Sequence, residues 1–233
     1  MARLRSTTLA PSLALSLVSL VVLLSGAGAL ARADEATPSW QLSDRSGEGA
    51  DAVALFVEKT PVPGRPTFRL ETAFDVEPAF ARQVLLEDMV DPSRAPKGQR
   101  RKVLERTANG AIVHTFIDLP LMLADRELVL RVEERHDPVT GIHRIEWAEA
   151  NELLPPADEE VVRLTGAAGF WEFRPDGQGG TKAIHETRTE LGGSIPISLG
   201  DRLMKSQALE SVESLRARID ERGPGAVAAG PPK

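Results

Sequence analysis

Few side chains in these 233 residues are equipped for chemistry. There is no cysteine, so thiolate nucleophiles, thiolate metal ligands and disulfides are excluded. The four histidines, His114, His136, His143 and His185, never fall at the spacing that sets two ligands on one helix face, and no metal or other cofactor is expected. Serine hydrolysis needs a nucleophile on a strained turn, and no Gly-x-Ser-x-Gly elbow exists. Gly177, Gly179 and Gly180 lie between two strand patterns instead of before a helix, so they serve a turn and not a phosphate loop. His136 and His143 flank a tight turn and read as a hairpin end. Two candidates remain. His185 alternates with Ala183, Thr187, Thr189 and Leu191, the set expected to face inward on its strand, and there it either lines a pocket or exchanges a proton with a substrate. Arg126 shares a strand face with Leu128, Leu130 and Val132. If buried, it needs an anion, either Asp118 or a carboxylate or phosphate of a ligand; at the strand end it would instead reach water.

These side chains need a frame that turns them inward. Ala52 to Glu58 and Thr67 to Asp75 read as two strands, the second alternating Phe68, Leu70, Thr72 and Phe74 against Arg69, Glu71 and Asp75. Glu77-Pro78 opens a short amphipathic helix reaching Met89, with Pro in a permitted first-turn position. Asp91 to Gly98, with two prolines and a glycine, is a loop. From Arg101 to Arg188, strands alternate with turn residues at 108–110, 137–141 and 176–180, which predicts an antiparallel meander with one dry face. The run Lys97, Arg100, Arg101 and Lys102 reads as a solvated loop able to touch headgroups.

The last element is the longest. Ser194 and Pro196 form a helix entrance, and Leu199, Leu203, Met204, Ala208, Val212, Leu215 and Ile219 recur every three or four residues until Gly223-Pro224. Only the dry face of the sheet offers comparable apolar surface. A curved antiparallel sheet wrapped around a long C-terminal α-helix, an α+β architecture, therefore follows. Small inward residues leave an internal space apolar in the main, with a few hydroxyls and one imidazole.

At the N-terminus, Arg3 and Arg5 precede an apolar stretch from Leu9 to Leu24 that ends in small residues, so residues 1–33 read as a signal peptide cleaved after Ala33. The protein is then expected to be exported, periplasmic or secreted. Residues 34–222 form one ligand-binding domain, and the Gly/Ala/Pro tail over 223–233 is expected to be disordered. The formal charge is −6 at pH 7, more negative once the leader's three arginines are removed, which disfavours nucleic acid as a partner. A monomer is expected.

The order of elements resembles the START lipid-transfer domains of the Bet v 1-like, or SRPBCC, helix-grip superfamily. The landmarks are Trp40, Val84-Leu85-Leu86-Glu87-Asp88, Arg101-Lys102-Val103-Leu104-Glu105 and Asp125-Arg126-Glu127. Val162-Arg163, Gly169-Phe170-Trp171-Glu172-Phe173, Thr181 and Gly192-Gly193-Ser194-Ile195-Pro196 complete them. The resemblance covers about residues 40 to 220. It implies a tunnel for one lipid or other hydrophobic small molecule, closed by the C-terminal helix and by loops that open at a membrane, and no catalysis. The acid that pairs with the cavity arginine in many START domains has no counterpart on the preceding strand, where His114, Phe116 and Asp118 share a side. Residues expected to line the cavity are Arg126, Leu128, Leu130, Trp147, Trp171, Phe173, His185, Thr187, Leu199, Leu203 and Met204. The alternative is an enzyme on a hydrophobic substrate, like the polyketide cyclases and dehydratases of the superfamily, using His185 and Arg126.

Overall fold

A computed structural model describes residues 39–119, 123–155, 160–193 and 195–223. The expected leader, Ser194 and all but the first residue of the expected tail lie outside the described residues. The chain begins with β1 (Trp40–Ser46), β2 (Val53–Glu58) and β3 (Thr67–Phe74), followed by α1 (Pro78–Val90). Then come β4 (Gln99–Thr107), β5 (Gly110–Ile117), β6 (Asp125–Asp137), β7 (Ile142–Glu149), β8 (Val161–Arg163), β9 (Thr165–Pro175) and β10 (Thr181–Glu190), and finally α2 (Ile197–Arg222).

One sheet of ten strands runs in the order β1-β2-β3-β10-β9-β7-β6-β5-β4, with β8 attached to β6 off that path. Successive antiparallel hairpins join β4 to β7, and another joins β9 to β10. The meander departs from expectation in two places. β8 is a short strand lying parallel to β6, and β3 pairs with β10 instead of with the next strand in sequence. β1 was not foreseen, because Gln41, Ser43, Asp44 and Arg45 give it no apolar alternation; it forms an edge with a register shift between Leu42 and Asp44. β4 is the other edge, with a shift between Val103 and Glu105.

Alternation sorts the strands into two faces. Leu70, Val113, Val132, Ile145, Trp171 and Ala183 are buried on the concave side, where α1 and α2 pack. α1 inserts Phe80, Ala81, Val84 and Leu85. α2 is 26 residues long, about 39 Å at ~1.5 Å per residue, and buries Gly200, Met204, Ala208, Val212, Leu215 and Ile219, spaced by three and four. It ends at Gly223, whose φ of 63° lets its N–H reach the Ile219 carbonyl at 3.0 Å.

The convex face is not wholly wet, as the sequence had suggested. Ile112, Val129 and Ala150 form a second small core there, sealed by Asn151. The Asn151 carboxamide accepts from the Val129 amide at 2.9 Å and donates to the Leu164 carbonyl at 2.7 Å. Beside it Glu127 takes Arg163 on one oxygen and His114 Nε2, 3.0 Å away, on the other. Burial pushes the Glu127 carboxyl up, but these two partners outweigh it and hold the pKa below its ordinary 4.5.

Candidate functional site

Between the concave sheet and α2 lies a cavity of about 480 Å³, within the range of small-molecule sites. Its walls are mostly apolar: Leu128 and Leu130 from β6, Trp147 from β7, Trp171 from β9, and Leu203, Met204 and Leu215 from α2. Gly169 makes the Trp147 placement possible, because a Cβ there would fall 2.5 Å from the indole. Into this lining project two arginines, several hydroxyls and one imidazole.

Arg126 is 3 % exposed, so the strand end does not carry it to water. Its Nη1 donates to the backbone carbonyl of Ala124, while its buried Nε has no hydrogen-bond partner. Among the described residues no carboxylate makes an ion pair with it. Asp118 is committed to Arg100 at 3.0 Å on the outer surface, and Asp125 accepts from the Leu119 amide at 3.0 Å. Burial therefore lowers the guanidinium's pKa, opposed only by the nearby Asp125 charge. Gly193, with φ of 65°, leaves room beside Nη2, since a Cβ would come within 3.2 Å of it. A buried cation with an unused donor is a costly arrangement in an apolar wall.

Arg101 is the second cation. Far from being part of a solvated loop, Arg100, Arg101 and Lys102 belong to β4, and Arg101 turns inward to donate from Nη1 to the Asp88 carbonyl at 2.5 Å. Burial lowers its pKa, and the Asp88 charge counters this. The Asp88 carboxylate itself pairs with Arg94 and Arg218, each at 3.5 Å.

His185 lies at the other end of the hollow. Its ring stacks on Trp171 at 4.5 Å between centroids and 5° between planes, with Trp147 tilted against it at 5.8 Å. Burial alone pulls its pKa down to about 3, so the imidazole is neutral at neutral pH. Its Nδ1 is 3.1 Å from Ser211 Oγ on α2. Register fixes its distance from Arg126. Val132 is level with Trp147, Gly169 and Thr187, and the next level holds Glu134, Ile145, Trp171 and His185. Arg126 sits eight residues earlier along β6 than Glu134.

No family model matches the sequence. An uncharacterized protein of Pseudomonas aeruginosa is 28% identical over 122 residues, which are 52% of this chain and 59% of the relative. The match thus spans about three fifths of the length of that curated relative. Solved structures agree over far more of the chain. A STAR-related lipid transfer protein fragment from Xanthomonas axonopodis superposes with a TM-score of 0.64 at 19% identity, over 78% of this chain and 98% of that one. Human StAR-related lipid transfer protein 5 gives 0.63 at 15% identity, over 78% and 86%. Human STARD10 gives 0.66 at 13%, over 79% and 74%. The fold is START-like.

Within this START-like frame, nine of the eleven residues expected at the cavity lie along it: Arg126, Leu128, Leu130, Trp147, Trp171, His185, Thr187, Leu203 and Met204. Phe173 does not. It is fully buried two residues beyond Trp171, where α1 and not the hollow covers the sheet. Leu199, in the first turn of α2, is half-buried and outside the lining. Sequence reasoning missed apolar lining such as Leu85 and Met89 of α1 and Val113 of β5, and several polar residues. Arg101 and Gln99 lie on a strand with polar residues on both faces, which carries no period-two signal. Ser211 was findable, since it continues the stripe of Met204, Ala208 and Leu215 as its one hydroxyl. His136 and His143 stack at 4.1 Å as a cross-strand pair at the end of the β6–β7 hairpin. Among the described residues no group of three His, Asp or Glu could hold a metal ion.

Proposed function

We propose that this protein binds one hydrophobic small molecule with an anionic head group inside the cavity, and carries it without transforming it. The observation that carries this reading is Arg126: buried, lining the cavity, and lacking a carboxylate among the described residues. A ligand carboxylate or phosphate would supply the missing charge. The volume of about 480 Å³ and the apolar walls suit an acyl chain or a comparable apolar body. The START-like fold adds that proteins of this architecture include STAR-related lipid transfer proteins.

Two features speak for carriage over catalysis. His185 has a pKa of about 3, which makes it a weak proton acceptor at neutral pH. Arg126 and His185 also stand four sheet levels apart, so they do not converge on one reacting bond. Transient membrane contact fits Val62 and Ile197, which are 45 % and 56 % exposed and border one surface groove. We read the protein as an exported, monomeric domain on the strength of its N-terminal Arg3, Arg5 and Leu9 to Leu24 pattern and its acidic balance. No described helix is long and apolar enough to cross a membrane.

Native mass spectrometry of the gently purified protein tests the reading. An acidic lipid or other anionic amphiphile should co-purify, in one-to-one ratio, and should be lost from Arg126→Leu. A protein that emerges empty and takes up neither fatty acid nor acidic phospholipid overturns it.

A further inference from the structure

The unused hydrogen-bonding capacity at the far end of the cavity is directional, and a single proton decides its direction. Ser211 Oγ lies 2.7 Å from the Ala208 carbonyl and 3.1 Å from His185 Nδ1. A carbonyl oxygen only accepts, and two oxygens approach to 2.7 Å only with a hydrogen between them. The Ser211 hydroxyl therefore donates to Ala208 and must accept from His185, which places the imidazole hydrogen on Nδ1. Nε2 is left as a bare lone pair. It has no partner among the described residues, and the ring that bears it lines the cavity. Trp171 stacked on the ring and Trp147 beside it prevent the imidazole from turning away.

We propose that His185 Nε2 accepts a hydrogen bond from the ligand, so that the cavity selects an elongated amphiphile carrying a hydroxyl or similar donor at the end remote from its anionic head. This rests on the reading of Arg126 as the head-group anchor. The eight residues of register between the two sites correspond to roughly 26 Å along the strands at about 3.3 Å per residue. The intervening wall offers Leu128, Leu130 and Trp147 to an apolar spacer, with Thr187 and Thr189 along β10. Ligand termini that only accept, such as a ketone or an ester, meet lone pair against lone pair at Nε2 and are rejected.

The test is isothermal titration of the purified, delipidated protein with three probes: palmitate, its ω-hydroxy derivative, and the ω-methyl ester of the matching dicarboxylic acid. The ω-hydroxy acid should bind roughly fivefold to tenfold tighter than palmitate, the worth of one net hydrogen bond, and the ester should bind weakest. In His185→Phe, which keeps a flat ring against Trp171, the ratio of ω-hydroxy acid to palmitate affinity should fall to about one. In Ser211→Ala the imidazole hydrogen is free to move to Nε2, and the gap between hydroxyl and ester should close. If palmitate binds but the hydroxyl adds nothing, or if the preference survives in both variants, the His185 assignment is wrong while the Arg126 anchor stands. If none of the probes binds folded protein, the anchor fails and this proposal fails with it.

Discussion

The two faces of the sheet use arginine in opposite ways. On the convex face Arg144 reaches Glu172 at 3.0 Å and Glu146 at 3.4 Å and lies 3.5 Å over the Phe170 ring. Arg174 and Arg135 join the same lattice, and Arg69 bridges Glu71 at 2.8 Å and Glu186 at 3.8 Å. On the concave face Arg126 and Arg101 rest on backbone carbonyls with no carboxylate partner among the described residues. The outer arginines are complete and half-wet, so each contributes little beyond tying neighbouring strands. Arg126 is dry and incomplete. The lesson is that an ion pair inside a fold marks structure, whereas an unpaired cation facing a hollow marks a place kept for something else.

The comparison breaks most readily at Glu127, an outer carboxylate that is also buried. Glu127→Ala leaves Arg163 and His114 without their shared carboxylate and should cost about 3 to 4 kcal/mol in urea unfolding. A loss below ~1 kcal/mol would place Glu127 with the ordinary surface pairs. Next comes Arg126→Leu, for which we expect anionic amphiphile affinity to drop by roughly a hundredfold. Thermal stability of the empty protein should hold or rise, because a dry unpaired charge is gone. A large fall in the melting temperature would show that Arg126 is structural after all.

Per pH unit, a smaller effect separates the imidazoles. His185, enclosed by Trp171, Trp147 and Ser211, titrates at about 3 in the folded chain, against 6.5 for an ordinary histidine. Between those values the unfolded chain takes up a proton that the folded chain refuses, so stability is full above pH 6.5 and declines as pH falls toward 3. The limiting slope is about 1.4 kcal/mol per pH unit, and His185→Phe should remove it. His143, lowered to about 4 by burial and by the neighbouring His136 charge, contributes a same-signed slope in both proteins. The difference between the two urea titrations, not either alone, is the measurement. Smallest of all, Glu71→Gln, which loosens a part-exposed pair with Arg69 on the convex lattice, should cost less than about 1 kcal/mol and leave ligand affinity unaltered.

How much of this was legible depends on contrast. The alternation of β6 and β10 and the three-four repeat of α2 were plain, because apolar and charged residues take opposite faces there, and the helix packed in the sheet followed from them. β1 and β4 carry polar residues on both sides, so neither the first strand nor the inward turn of Arg101 could be read. β8 is three residues long and pairs in parallel, a non-local contact that no local pattern announces. At the site, parity placed Trp171 and Phe173 on one face correctly but said nothing of where the hollow ends. α1 decides that by packing over Phe173. The Asp118 partner proposed for Arg126 was wrong for the same reason: it shares a side with His114 and Phe116, and that side is the outer one.

The margins of the sheet bear on how such a protein survives in company. A ribbon nine strands from edge to edge that does not close has two borders whose backbone groups could dock another molecule's strand. Both borders here are broken by an irregularity in pairing and dressed with charge: Asp44 and Arg45 on one, Arg100, Lys102, Glu105 and Arg106 on the other. Such borders offer no flat template, so the chain can display a wide ribbon at high concentration without recruiting its copies into aggregates.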